Sequence, residues 1–209
     1  MDLAPGYTIE DSLADALLHA GDVAHSIAVD NHALRGSNGF TFGAERYHRA
    51  RQLARGPLED HGFDLIQNGA GLMGRRGNLT LAFATARGRV SDGPVTFDTE
   101  SSQVRRDASV VNSIAFQDGL DLGLKLPRVF HYVWCGTPTQ GLTGVFTGCL
   151  VKLTGGRAEW AEVRVVYDAE PVGLGDDQDI VETTYASQPE PELDVKPRRT
   201  ATERSEDGK

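Results

Sequence analysis

Apolar positions recur at two different periods along this chain. Ile9, Leu13, Leu17, Ala20, Ala24 and Ile27 return every three or four residues behind Thr8 and Asp11, which together form a capping arrangement. That spacing predicts an amphipathic helix to about His32, with Gly21 as the place where it bends. A turn-rich stretch, Gly36-Ser37-Asn38-Gly39, separates it from a second helix predicted over Ala44 to Arg55. Gly56-Pro57 ends that helix, because proline lacks an amide hydrogen and disfavours helix in the residue before it. One further helical turn closes at Gly62.

From Phe63 the period shortens to brief apolar runs between glycine-bearing turns, the signature of an antiparallel meander. The predicted strands are Phe63 to Gln67, Ala70 to Met73, Leu79 to Ala86, Val95 to Asp98, Ser109 to Phe116, Arg128 to Cys135, Val145 to Leu153 and Glu159 to Tyr167. Asn68-Gly69 suits a tight hairpin turn. Phe130, Tyr132 and Trp134 alternate with Val129, His131, Val133 and Cys135, so this strand is expected to be central and buried on both faces. With one face open, the three aromatics would instead offer a stacking surface for bases. Eight strands without long helices between them predict an α+β fold: two N-terminal helices packed on a bent, mainly antiparallel multi-stranded sheet, a sandwich or partial barrel. After Asp168 few apolar residues remain to offset ordering entropy. The expected organisation is one domain over 1–171, helical in 1–62 and β-rich in 63–168, followed by a disordered acidic tail over 172–209.

With 209 residues and a hydrophobic fraction of 39%, the chain can bury a core without disulfides or metal. Two cysteines make no disulfide scaffold, and neither a signal-like start nor an apolar run of roughly 20 residues is present, so a cytoplasmic protein with no membrane role is expected. Arginine outnumbers lysine, a bias that codon supply in a G+C-rich bacterial genome produces by itself; placement therefore carries more than number. Residues 1–34 hold six acidic side chains and no Lys or Arg, residues 35–106 hold 11 basic and 7 acidic ones, and residues 168–209 hold 12 acidic and 5 basic ones. The formal net charge of −9 thus conceals a basic middle.

That middle gives the first functional expectation: a cytosolic, bacterial-type binding or regulatory module that engages a protein or nucleic acid through Arg46, Arg49, Arg51, Arg55, Arg75, Arg76, Arg87, Arg89, Arg105 and Arg106. A second reading is catalytic. Asp98 and Glu100 lie two apart in a strand and share a face, and with Asp64 they would suit Mg²⁺ or Mn²⁺ for phosphodiester hydrolysis. Thiol chemistry is the lesser catalytic alternative: if Cys135 stands opposite Val145, His131 comes opposite Cys149 and can activate it. A one-residue slip destroys that pairing. Asp22, His25 and His32 fall near one stripe of the first helix, with His48 as a fourth ligand for a divalent metal, although the spacing matches no zinc motif and a solvated polar face has the same letters. Gly69-Ala70-Gly71-Leu72-Met73-Gly74 fits the dinucleotide pattern but leads into a strand, so no cofactor is expected from it. A third reading is a homo-oligomer subunit, since a multi-stranded sheet needs its edges covered.

Overall fold

A 25-residue helix, α1 (Asp11–Arg35), forms where the three-and-four spacing predicts it, and Leu13, Leu17, Ala20, Ala24 and Ala28 make its buried stripe. Its start lies beyond the predicted cap. Thr8 belongs to a small antiparallel hairpin, β1 (Asp2–Ala4) with β2 (Tyr7–Thr8), and the Glu10 carbonyl accepts the Ala14 amide at 3.0 Å. The helix passes through Gly21 without interruption. This computed structural model describes residues 1–35, 39–68, 71–90, 103–122, 126–154 and 157–169. Met1–Glu170 makes one compact unit; the other unit, Pro171–Lys209, holds the expected tail and lies outside the described residues. So do the predicted strand at Val95 to Asp98 and the turn residues Gly36, Ser37, Asn38 and Gly69.

The second helix, α2 (Gly39–Asp60), starts earlier than predicted and continues through Pro57. Proline inside a helix costs about 3 kcal/mol. Here the missing amide falls in the last turn, between Ala54 and Leu58, both fully buried, and burying a leucine contributes about 1.5–3 kcal/mol. The end is then tied down locally. His61 holds the Pro57 carbonyl through Nδ1 at 2.7 Å, Phe63 donates to the Leu58 carbonyl at 3.0 Å, and Gly62 turns the chain at φ 73°. The helices run antiparallel: Ser12 meets His61 at 2.9 Å at one end, while near the other Asn31 donates to Glu45 at 2.5 Å and His32 sets its ring edge-on to Phe42.

Six strands, β3 (Asp64–Asn68), β4 (Gly71–Arg76), β5 (Leu79–Ala86), β6 (Arg128–Thr137), β7 (Gly141–Thr154) and β8 (Arg157–Asp168), pair in sequential order. All neighbours are antiparallel except β5 and β6, which run parallel. The parallel pair follows from the main departure from expectation. Ser109 to Phe116, predicted as a strand, lies in a helix, α3 (Gln103–Leu122), and a parallel neighbour needs such a crossover. The fold is α+β, and among the described residues no helix is long and apolar enough to cross a membrane.

Alternation along the sheet builds two cores. Phe83, Phe130, Tyr132, Trp134, Val145 and Cys149 join the buried stripes of α1 and α2 and the β1–β2 hairpin. Ala84, Ala86, Val133, Cys135 and Phe146 form a second cluster on the opposite face, against Trp160. Strand β6 is therefore buried on both faces, as its double alternation predicts. Asn112 of α3, fully buried, takes the place of a strand where β6 and β7 part. Its Nδ2 donates to the carbonyls of Val129 at 2.8 Å and Leu150 at 3.0 Å, and its Oδ1 accepts the Val129 amide at 2.8 Å.

Candidate functional site

Phe42, Arg46, Ala50, Ala54 and Leu58 follow one another at i+4 along α2, so the helix aims Arg46 into the core. It is 3% exposed and cannot belong to an arginine surface. Its guanidinium donates to the Gly136 carbonyl at 2.9 Å and the Ala86 carbonyl at 2.8 Å, tying together the ends of the parallel strands, and it lies 3.3 Å from His25 Nε2. His25 Nδ1 is 2.7 Å from the Gly21 carbonyl. That geometry selects the neutral tautomer with hydrogen on Nδ1, which leaves Nε2 to accept from Arg46. Burial first, and the Arg46 charge second, bring the His25 pKa down to about 4; burial also lowers that of Arg46 to about 10. The network clamps α1, α2, β5 and β6, and it occupies His25, one of the four expected metal ligands.

The other three ligands do not gather around it. His32 packs on Phe42, His48 is exposed beside Arg51, and Asp22 opens into a groove that it lines with Asp15, Leu18 and His19. Among the described residues no three His, Cys, Asp or Glu side chains come close enough to hold a metal ion. Asp64 stands opposite Arg75 across the β3–β4 pair; Asp98 and Glu100 lie outside the described residues. As expected, the glycine pattern ending at Gly74 runs into β4 and opens no helix.

The predicted thiol pair is separated by the register. A bulge at Cys135/Gly136 sets Cys135 opposite Gly144 and His131 opposite Gly148, while Cys149 faces Phe130. His131 and Cys149 therefore project from opposite faces of the sheet. His131 packs edge-on against Trp160, and burial lowers its pKa to about 3. Burial pushes the Cys135 thiol up to about 12 and raises that of Cys149 as well, helped by the Glu162 carboxylate. Neither thiol is prepared for nucleophilic attack.

Cys149 has a different companion. Within β8, Glu162 adopts φ 52°, an uncommon conformation for a non-glycine residue, at a bulge between Thr147 and Cys149 of the neighbouring strand. The bulge turns its carboxylate inward. There both oxygens accept Arg128 Nη1 at 2.7 Å and Oε2 accepts the Cys149 thiol at 3.8 Å. The Arg128 guanidinium lies between the rings of Tyr7 at 5.0 Å and Phe116 at 4.7 Å. Tyr7 donates its hydroxyl to the Leu126 carbonyl. This cluster joins the β1–β2 hairpin, α3, β6 and β8, and its protonated thiol and paired carboxylate suit a structural clamp better than catalysis.

Of the remaining expected partner-binding arginines, several are engaged within the chain. Arg49 pairs with Glu45 at 3.2 Å, Arg51 stacks on Tyr47, Arg76 binds Glu10 at 2.7 Å, Arg89 reaches the Ala169 carbonyl at 3.2 Å, and Arg105 is partly buried. Arg55, Arg75, Arg87 and Arg106 are exposed but are spread over α2, β4, the end of β5 and α3.

Two surface features went unforeseen. Asp15, Leu18, His19 and Asp22 of α1, with Leu142 and Tyr167, line an open groove of about 340 Å³. On α3 the usual distribution is reversed. Its buried positions are Ala108, Asn112 and Ala115, whereas Val110, Val111 and Ile114 point outward, 57%, 38% and 51% exposed. Scattered single apolar residues are ordinary at a surface; three β-branched ones on one helical face form a stripe. A helical spacing of small residues at 108, 112 and 115 was the available signal, but small side chains mark a buried stripe weakly. No family model matches this chain, and no curated protein or solved structure does.

Proposed function

We propose that this chain is a binding module whose partner is a protein, docked on the outward face of α3. The observation that carries the reading is the outward face of α3, where Val110, Val111 and Ile114 together present an apolar stripe to water. Desolvating such a stripe favours association by about 25 cal/mol per Å² of apolar area, less the cost of immobilising the partner. A nucleic-acid partner is the weaker alternative. Arg46 is internal, Arg49 and Arg76 are paired with carboxylates, and a net charge of −9 opposes approach to phosphates. Catalysis has less support still, because Asp64 faces Arg75 and both thiols are held protonated.

The test places a photo-crosslinking amino acid at position 110 and, as a control, at Leu53, an exposed apolar residue on α2. Irradiation in the producing cells is expected to join position 110 to one defined polypeptide segment, identified by peptide mass, and to give no discrete product from position 53. Equal labelling from both sites, or adducts to nucleic acid alone, would overturn the reading.

A further inference from the structure

Apart from the docking face of α3, we propose that Arg51 and Arg55, with Gln52 and Gly71, form a binding site for a dianionic phosphate, either the free ion or a monoester. Tyr47, Arg51 and Arg55 follow one another at i+4 on α2 and so share a face. With Gln52, Gly71 and Leu72, the two arginines line a narrow cleft between α2 and the start of β4. Arg51 is held in place there: its guanidinium stacks on the Tyr47 ring, 5.1 Å from the centroid, and Nη2 lies 3.2 Å from His48 Nδ1. The other terminal nitrogen, Nη1, is shut off from water and has no hydrogen-bond partner. A cationic N–H buried without an acceptor is among the costlier polar defects of a fold, and it points to an acceptor that the chain itself does not supply.

Charge and size say which acceptor fits. Arg51 and Arg55 are like charges one turn apart, an arrangement that repels along a helix. Among the described residues neither forms an ion pair, since Glu45 is taken by Arg49, and no carboxylate lines the cleft. A carboxylate or a phosphodiester brings a single negative charge to the two guanidiniums. A phosphate monoester carries about 1.5 to 2 charges near neutral pH and has three free oxygens, enough for both planar forks. The cleft holds about 20 Å³, room for roughly one oxygen-sized group. One phosphate oxygen can therefore enter beside Arg51, while the rest of the ligand stays outside over Gln52 and Arg55, which are exposed. Leu72 is buried, and Gly71 brings no side chain to obstruct the entrance.

Inorganic phosphate titrated into the full chain, followed through the nitrogen-15 signals of the arginine Nε–H groups, tests the site. Phosphate and methyl phosphate are expected to shift the Arg51 and Arg55 signals together and to saturate, whereas acetate and dimethyl phosphate at matched ionic strength should bind at least about tenfold more weakly. The tighter of the first two identifies the ligand as the free ion or as a monoester. Arg51→Gln and Arg55→Gln should each weaken phosphate binding about tenfold, and Arg87→Gln, which removes an exposed arginine just beyond β5, by less than about twofold. Unchanged urea midpoints establish that the variants are folded, and the wild-type titration stands whether or not Arg51→Gln folds. Absence of saturable shifts at Arg51 and Arg55, acetate or dimethyl phosphate binding as tightly as phosphate, or an Arg87→Gln loss equal to that of Arg55→Gln would overturn the proposal.

Discussion

Replacing Gly21 by alanine sets two effects of opposite sign against each other. Alanine inside a helix is favoured over glycine by about 1 kcal/mol. At this position, however, a Cβ would lie 2.0 Å from Trp134 Cδ1 and 2.3 Å from its Nε1, where non-bonded carbon atoms need roughly 3.5 Å. Either α1 retreats from the sheet or the indole turns. Overpacking of this kind costs about 1–3 kcal/mol, and losing the 2.9 Å bond from Trp134 Nε1 to the Leu17 carbonyl strands a buried donor at about 1–3 kcal/mol more. The clash wins: Gly21→Ala is expected to lower stability by about 2–4 kcal/mol. Urea denaturation followed by tryptophan fluorescence reads this as a lower midpoint with an unchanged slope. Gly43→Ala on α2, whose added Cβ meets nothing within 4 Å, should instead stabilise by about 0.4–1 kcal/mol. A Gly21→Ala midpoint equal to or above the wild type would refute the close approach of α1 to β6.

Asn112→Leu should destabilise the fold by about 3–5 kcal/mol, since it strands the Val129 amide and carbonyl and the Leu150 carbonyl; hydrogen exchange should speed first where β6 and β7 part. His25 and His131 are neutral in the fold, with pKa values near 4 and near 3, whereas both titrate near 6.5 once unfolded. The unfolded chain binds more protons below pH 6.5, so stability falls as pH drops from there toward 4, by up to about 1.4 kcal/mol per pH unit for each histidine. Urea midpoints between pH 7 and 4.5 should therefore slope less steeply in His131→Gln, and an identical slope would contradict the burial of this ring. Iodoacetamide at neutral pH should label Cys135 and Cys149 only as fast as the chain opens, and rapid labelling of the native protein would contradict the raised thiol pKa values.

Legibility followed the strength of the hydropathy contrast. The apolar stripe of α1 and the run Leu79–Ala86 are readable because Leu13 and Leu17 in the one, and Leu79, Leu81 and Phe83 in the other, put large apolar residues at buried positions among the alanines. In α3 the contrast is inverted, so Val110, Val111 and Ile114 suggest a strand by intrinsic preference while Ala108, Asn112 and Ala115 carry the packing. Arg46 could have been placed inside from its i+4 distance to Phe42 and Ala50, but a charged side chain argues for the surface unless the stripe is followed strictly. His131 and Cys149 project from opposite faces because the bulge at Cys135/Gly136 changes the parity of the ladder, which alternation along β6 does not reveal. The inward turn of Glu162 depends on a second bulge with positive φ, and no local residue preference announces it.

Photo-crosslinking from position 110 beside position 53 in the producing cells most directly tests whether the outward face of α3 is covered by a protein partner. The prediction is one defined polypeptide adduct from position 110 and none from position 53. Equal labelling from both positions, or no adduct from position 110, would contradict it.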